Sequence, residues 1–324
     1  MVTAISSAPL LGQIAPFGDA VFLVGPDAVR LQVVSIFVRT HSKVFEAMLG
    51  TNFAEGQKSI SNKTKTISLP EDDADALWII FSAMHGRTSD IPDPLEPDMV
   101  LRVAYMADKY DCSQCLKYLI KSWMEVDDAK HRCRKCRAPD QRHWKLMAAA
   151  YYFRNEEGFE ALSNKWITEY TESYLAVTEY GGFLDPMVLV RLCVILQEKR
   201  VEYQVHLLNT AGETLMEYWE NCSCSAMFDE DEDVPTPYYQ IHDRFLVELR
   251  SAAPQLRDII HNTLNIIDYA TTHHIPECRN TTEDRFVLLN RASSDVSSVA
   301  WTGKICMDCI RSSTPHSDHP LAPN

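Results

Sequence analysis

Apolar residues cluster in three short extended runs near the start of the chain and recur at three- and four-residue steps over most of the remainder. The pattern predicts a small sheet followed by helices. The run Gly18-Asp19-Ala20-Val21-Phe22-Leu23-Val24-Gly25 and the extended run Val29 to Val33 after the turn Gly25-Pro26-Asp27 predict a β-hairpin. Ser42 then stands as a cap before a helix whose Val44, Phe45, Met48 and Leu49 share one face, with Gly50 as a left-handed stop. Thr64 to Leu69 predicts a third strand. A helix starting near Asp73 and running to Met84 directs Leu77, Ile80, Phe81 and Met84 one way and ends at His85-Gly86. Pro97 suits the first turn of the next helix, where Val100, Val103, Ala104 and Ala107 share a face, and a further helix carries Cys115, Leu116, Leu119, Ile120 and Trp123.

Apolar content collapses between Glu125 and Arg142, where His131-Arg132-Cys133-Arg134-Lys135-Cys136-Arg137 follows Asp127-Asp128. A domain boundary is placed there, as a charged linker over 126–142. Helical periodicity resumes at Trp144 to Phe153 and again from Gly158 to Tyr174, with Phe159, Leu162, Trp166, Ile167 and Tyr170 in step. Pro186 opens a helix that is nearly apolar all round from Met187 to Leu196, which predicts a central, buried element. Asp229 to Asp233 reads as an exposed acidic loop. Ile241, Phe245, Leu246 and Leu249 predict one amphipathic helix, and Leu256 to Tyr269 another. The expected organisation is a lead-in over 1–15 and a tail over 311–324, both disordered, around an α+β domain at 16–125 and a mostly helical domain at 143–310.

The order of the early elements, with Ser42-x-x-Phe45-x-x-Met48 at its centre, resembles the BTB/POZ domain, most closely the short version of many filamentous-fungal proteins. Leu69-Pro70-Glu71-Asp72-Asp73 and Ala107-Asp108-Lys109-Tyr110-Asp111-Cys112 continue the resemblance, which covers about Phe17 to Trp123. The chain departs from the family at Val34 and Ser35, where most members carry a His and then a basic residue, and at His85, which replaces an aromatic before Gly86. The resemblance implies a small sheet with helical hairpins and a protein–protein interaction role without catalysis. Some members dock a cullin-type ubiquitin-ligase scaffold through an apolar residue, any residue and Glu, a pattern that Phe53-Ala54-Glu55 matches. Phe53 would then fill an apolar pocket on the scaffold and Glu55 fix the loop or make a polar contact; both also suit the edge of the domain's own core and a turn. The helical domain would choose an unknown substrate. A BTB scaffold or transcription-associated protein without ligase association is the alternative.

Charge narrows the partners. A formal net charge of -14 over 324 residues disfavours nucleic acid, whose binding draws on a basic surface, and suits a cationic protein partner. Met1 to Leu11 lacks the basic start of a secretory signal, so the ten cysteines are expected to be reduced and the protein intracellular, in cytoplasm or nucleus. No apolar stretch is long enough to span a membrane. Pro9, Gly12 and Pro16 interrupt Met1 to Phe17, so a monomer or weak homodimer is expected instead of a partner-swapped dimer.

Candidate chemistry is sparse. There is no glycine-rich phosphate loop, nucleophile elbow or His-Glu-x-x-His, and His273-His274 with Cys278 makes no evident dyad. No cofactor and no metal site is assigned. Cys112-x-x-Cys115 and Cys133-x-x-Cys136 have zinc-ribbon spacing, but Cys115 continues an apolar face, so the first pair is read as core thiols. Cys133 and Cys136, flanked by cations that lower thiol pKa, and Cys222, Cys224, Cys306 and Cys309 stay open as metal ligands; a zinc-dependent nucleic-acid module is the third reading.

Overall fold

The computed structural model describes residues 14–50, 64–124, 141–170, 172–180, 184–220, 305 and 307–311. The chain falls into two compact units, 1–162 with 179–188 and 306–324, and 163–178 with 189–305.

The first unit is α+β. Strands β1 (Ala20–Val24) and β2 (Val29–Val33) pair antiparallel, with Ala20 opposite Val33, and β3 (Lys65–Leu69) lies parallel on the other edge of β1. The order β2-β1-β3 makes β1 central, which explains its continuous apolar run: Phe22 and Val24 are fully buried, as is Ala20. The edge strands alternate instead, sending Leu31 and Val33 or Ile67 and Leu69 inward. Gly25 turns the hairpin at φ +74°, a conformation that costs other residues more.

Between β2 and β3 come α1 (Ser35–His41) and α2 (Lys43–Leu49). The periodicity leaves α1 unassigned, and its sequence, Ser-Ile-Phe-Val-Arg-Thr-His, is a poor helix former with three β-branched residues. Its start is secured from a distance: the Asp19 carboxylate at the head of β1 accepts from the Ser35 amide at 2.7 Å and its hydroxyl at 2.6 Å. Partial burial opposes ionisation of Asp19, but these hydrogen bonds prevail and hold its carboxyl below the ordinary range. Helix α2 follows expectation at its start, where Ser42 Oγ accepts from the Phe45 amide at 3.0 Å. Its end differs. Gly50 is extended, at φ -73° and ψ 170°, so it is not a left-handed stop; a Cβ there would sit 3.2 Å from both the Ala47 and Glu46 carbonyl oxygens, and glycine serves that close approach.

Helix α3 (Ala74–Met84) is capped by Asp73, whose Oδ1 accepts from Ala76, and Gly86 at φ +71° follows its end. Trp78 and Ile79 are buried along with Leu77, Ile80, Phe81 and Met84, so α3 is enclosed more fully than one apolar face would be. Phe22, Phe45 and Phe81 meet with ring centroids 5.0–5.4 Å apart beneath it. Helix α4 (Pro97–Lys109) starts on Pro97, and a 3₁₀ turn (Ser113–Leu116) leads into α5 (Lys117–Met124).

Helix α6 (Gln141–Phe153) packs along α4. The compact unit therefore continues to Leu162, past the boundary placed at 126–142, whose described end, Gln141 and Arg142, opens α6. The physical reason is α4: Leu101 and Met106 are buried besides the four residues of the expected face, and a helix with two apolar sides needs a second cover. Buried Ala148, Ala149 and Ala150 give α6 the slim surface for close approach. Lys145 reinforces the pairing through Asp98 at 2.8 Å.

Helix α7 (Glu156–Glu169) passes from the first unit into the second; a 3₁₀ turn (Tyr174–Tyr180) and α8 (Pro186–Glu220) follow, mostly in the second unit, with 179–188 counted in the first, and a short α9 (Met307–Arg311) belongs to the first unit. Phe159, Leu162, Trp166, Ile167 and Tyr170 are buried as their spacing predicts. The helix stops at Glu169 instead of continuing to Tyr174. The buried Arg200 of α8 donates to the Tyr170 carbonyl at 3.3 Å and the Glu172 carbonyl at 2.8 Å, and its guanidinium lies 4.4 Å from the Tyr174 ring centroid. Tyr174 in turn donates its hydroxyl to the Trp166 carbonyl at 2.9 Å. Helix α8 is not the enclosed element expected: Leu192, Cys193 and Leu196 are buried, whereas Val190, Val194, Val201 and Val205 are about half exposed, 51% for Val194. An all-round apolar sequence raises the return on covering a helix but does not supply the cover.

Truncating Phe45 would remove the ring shared by α2, β1 and α3. Phe45→Ala is expected to lower unfolding free energy by about 3–5 kcal/mol, read from denaturant unfolding of the full chain.

Candidate partner-binding site

The two residues singled out for partner contact, Phe53 and Glu55, lie in 51–63, outside the described residues. Both anchors of that segment are described. Helix α2 delivers the chain at Gly50, and Lys65 begins β3 with its amide on the Asp19 carbonyl at 3.0 Å and its Nζ on the Leu49 carbonyl at 2.9 Å. Lys65 thus ties the start of β3 to the end of α2.

Behind α2 the support is dense. Tyr110 stacks on Phe45 with centroids 4.2 Å apart and planes 12° from parallel, and its carbonyl accepts from Ser42 Oγ at 2.6 Å. Its hydroxyl donates to Asp72, which also pairs with Lys109. Burial and the bond to this carboxylate push the Tyr110 hydroxyl far above the usual tyrosine range. Arg102 bridges Asp73 and Asp75 at 2.5 and 3.2 Å, holding the capped start of α3 against α4.

The departures from the family pattern have local explanations. Val34 sends its amide to His85 Nε2 at 2.9 Å, while His85 Nδ1 lies 2.7 Å from the Phe81 carbonyl. One ring nitrogen accepts and the other donates, which requires the neutral imidazole with the proton on Nδ1. The Phe37 ring stands edge-on to it at 5.2 Å. Burial, opposed by the Phe81 bond and aided by the charges of Arg87 and His41, keeps His85 below the ordinary histidine pKa. Ser35 is committed to Asp19.

Two surfaces of the first unit present apolar groups. Helix α1 exposes Ile36 (57%) and Phe37 (45%). A groove of 730 Å³ opens between the 3₁₀ turn and α5 on one side and the start of α7 on the other; Ile120 and Phe153 are in its lining, with Lys117 and Lys121 on one wall and Glu156 and Glu157 on the other. Tyr118, 88% exposed, stands at its rim. Nothing in the periodicity marks this groove, because it forms between helices more than thirty residues apart.

Chemistry for metal or catalysis is thin among the described residues. No group of three or more His, Cys, Asp and Glu side chains converges to hold a metal ion there. Cys112 is buried at 1% exposure and Cys115 is half-buried, as expected of thiols facing a core. Cys133, Cys136, Cys222, Cys224, His273, His274, Cys278 and Cys306 lie outside the described residues, as does the side chain of Cys309, together with the acidic run at 229–233 and the helices expected at 241–249 and 256–269. No described helix is long and apolar enough to cross a membrane.

Comparison with known proteins adds no identity: no family model, no curated protein and no solved structure matches the chain.

The His85 arrangement predicts a pH response. Its folded pKa lies below about 6.5, the unfolded value, so the unfolded state binds more protons and stability is complete above that pH, then falls as pH drops through the folded value. Between pH 7.5 and 5 the parent is expected to lose more unfolding free energy than His85→Phe, measured by denaturant titration at each pH.

Proposed function

We propose that this chain is a non-catalytic protein–protein interaction module with a BTB/POZ-type first domain, acting as a substrate adaptor for a cullin-type ubiquitin ligase. The observation carrying this reading is the architecture of the first unit: an antiparallel hairpin, the helix begun by Ser42, a third strand and enclosing helices, in the order on which the resemblance rests, with α1 and the parallel pairing of the third strand added by the structure. Ser42, Phe45 and Tyr110, three residues of that resemblance, meet in one hydrogen-bonded and stacked cluster. In this reading Phe53 enters an apolar pocket of the scaffold, Glu55 makes a polar contact or fixes the loop, and Lys65 steadies the segment that carries them. The exposed Ile36 and Phe37 and the mixed-charge groove add surface suited to polypeptides. The later helices recruit the substrate, and the protein works inside the cell, in cytoplasm or nucleus.

A scaffold of the same fold without ligase association is favoured by one specific observation. Val34 and Ser35 are occupied in internal hydrogen bonds to His85 and Asp19, at the positions where most family members present a His and a basic residue.

Affinity purification of the parent, Phe53→Ala and Glu55→Ala from cells separates the two. The adaptor reading expects a cullin with the parent and at least a tenfold loss of it in both variants, about 1.4 kcal/mol. Specific partners without any cullin would favour the scaffold. Light scattering at micromolar concentration is expected to give the mass of a monomer; a tight dimer would reverse that expectation.

A further inference from the structure

We propose that Cys112 and Cys115 form a reversible dithiol–disulfide site that reacts with low-molecular-weight disulfides, Cys115 attacking and Cys112 resolving. The inference is independent of the adaptor reading. The backbone places the two residues for it. Cys112 closes α4, its amide donating to the Ala107 carbonyl at 2.9 Å, and the Cys115 amide returns to the Cys112 carbonyl at 3.3 Å to close the 3₁₀ turn. A turn of this kind brings its first and fourth Cα atoms within about 7 Å, and a disulfide spans about 4.4–6.8 Å between Cα atoms, so the bond needs side-chain rotation and little backbone movement.

The side chains are already engaged. Cys115 Sγ donates to the Cys112 carbonyl at 3.0 Å, which turns its side chain back over the turn toward Cys112. The neighbouring Cys115 sulfur and burial push the Cys112 thiol up, while Cys112 beside it holds the Cys115 thiol below the usual range against the opposing effect of burial. Exposure agrees, since Cys112 is 1% exposed and Cys115 is half-buried in the 3₁₀ turn before α5, beside the exposed Gln114. The accessible thiol is therefore the one that ionises first.

The reaction balances without any group the protein lacks other than the small disulfide. The Cys115 thiolate attacks one sulfur of the disulfide, forming a mixed disulfide and expelling the other half as a thiolate. That thiolate takes the Cys112 proton, and Cys112 then attacks the Cys115 sulfur and releases the second half, which takes up the proton lost from Cys115 as a thiol. Two protein thiols give up two electrons, and the small disulfide becomes two thiols. The product staples the turn that follows Tyr110, which carries the packing of α2.

The test uses the full, reduced chain in native buffer with oxidised glutathione at neutral pH, quenched in acid and mapped by peptide mass spectrometry. The parent peptide holding both cysteines is expected to lose two hydrogens with no adduct retained. Cys112→Ser is expected to accumulate glutathione on Cys115, and Cys115→Ser to leave Cys112 unmodified. Should a variant fold poorly, the parent alone decides: Cys115 is expected to alkylate with iodoacetamide roughly tenfold or more faster than the buried Cys193. Equal rates, or a folded Cys112→Ser that gains no glutathione at Cys115, would overturn the proposal.

Discussion

Tyr110 is where the separate parts of the first unit become one body. Its ring stacks on Phe45, its carbonyl holds the hydroxyl that caps α2, and its own hydroxyl bonds the buried Asp72 just before α3. A carboxylate buried to 5% exposure is costly unless paired, and here Lys109 and Tyr110 both serve it. Buried polar groups of this kind tolerate few arrangements, so the network fixes the positions of α2, α3 and the end of α4 more strictly than apolar packing would. Phe22, Phe45 and Phe81 then fill the space that the network defines.

The elements that flank the proposed partner segment are held by that centre. The described residues on either side of 51–63 belong to α2, positioned by Ser42 and Phe45, and β3, positioned by its pairing with β1. On the other side, α1 rests on two hydrogen-bonded acceptors, the Asp19 carboxylate and the neutral His85 ring. Interaction surfaces of this type need a rigid backing more than a reactive group, and a rigid backing is what the first unit supplies. The second unit applies the same logic with different chemistry: Arg200, stacked on Tyr174, satisfies the carbonyls freed where α7 ends.

Much of this was legible because it is local. The hairpin, the third strand, the Ser42 cap and the helices near 74–84, 97–109 and 144–153 follow from alternation, helical period and capping residues, all of which act within a few positions. The buried set at Phe159, Leu162, Trp166, Ile167 and Tyr170 was readable for the same reason. Short range also explains the errors. Gly50 has the residue type of a left-handed stop but sits extended, because the space beside the Ala47 carbonyl decides its role.

The sequence by itself determined which stretches form strands and helices and which side of most of them is apolar, since those properties depend on neighbours along the chain. Only the tertiary structure decided that α1 forms, that α4 takes α6 as a second cover within the first unit, that one side of α8 stays open, and that a groove lies between α5 and α7. Like the end of α7, which Arg200 settles, these outcomes depend on groups distant in sequence, as α1 depends on Asp19, and periodicity records nothing about which distant group will arrive.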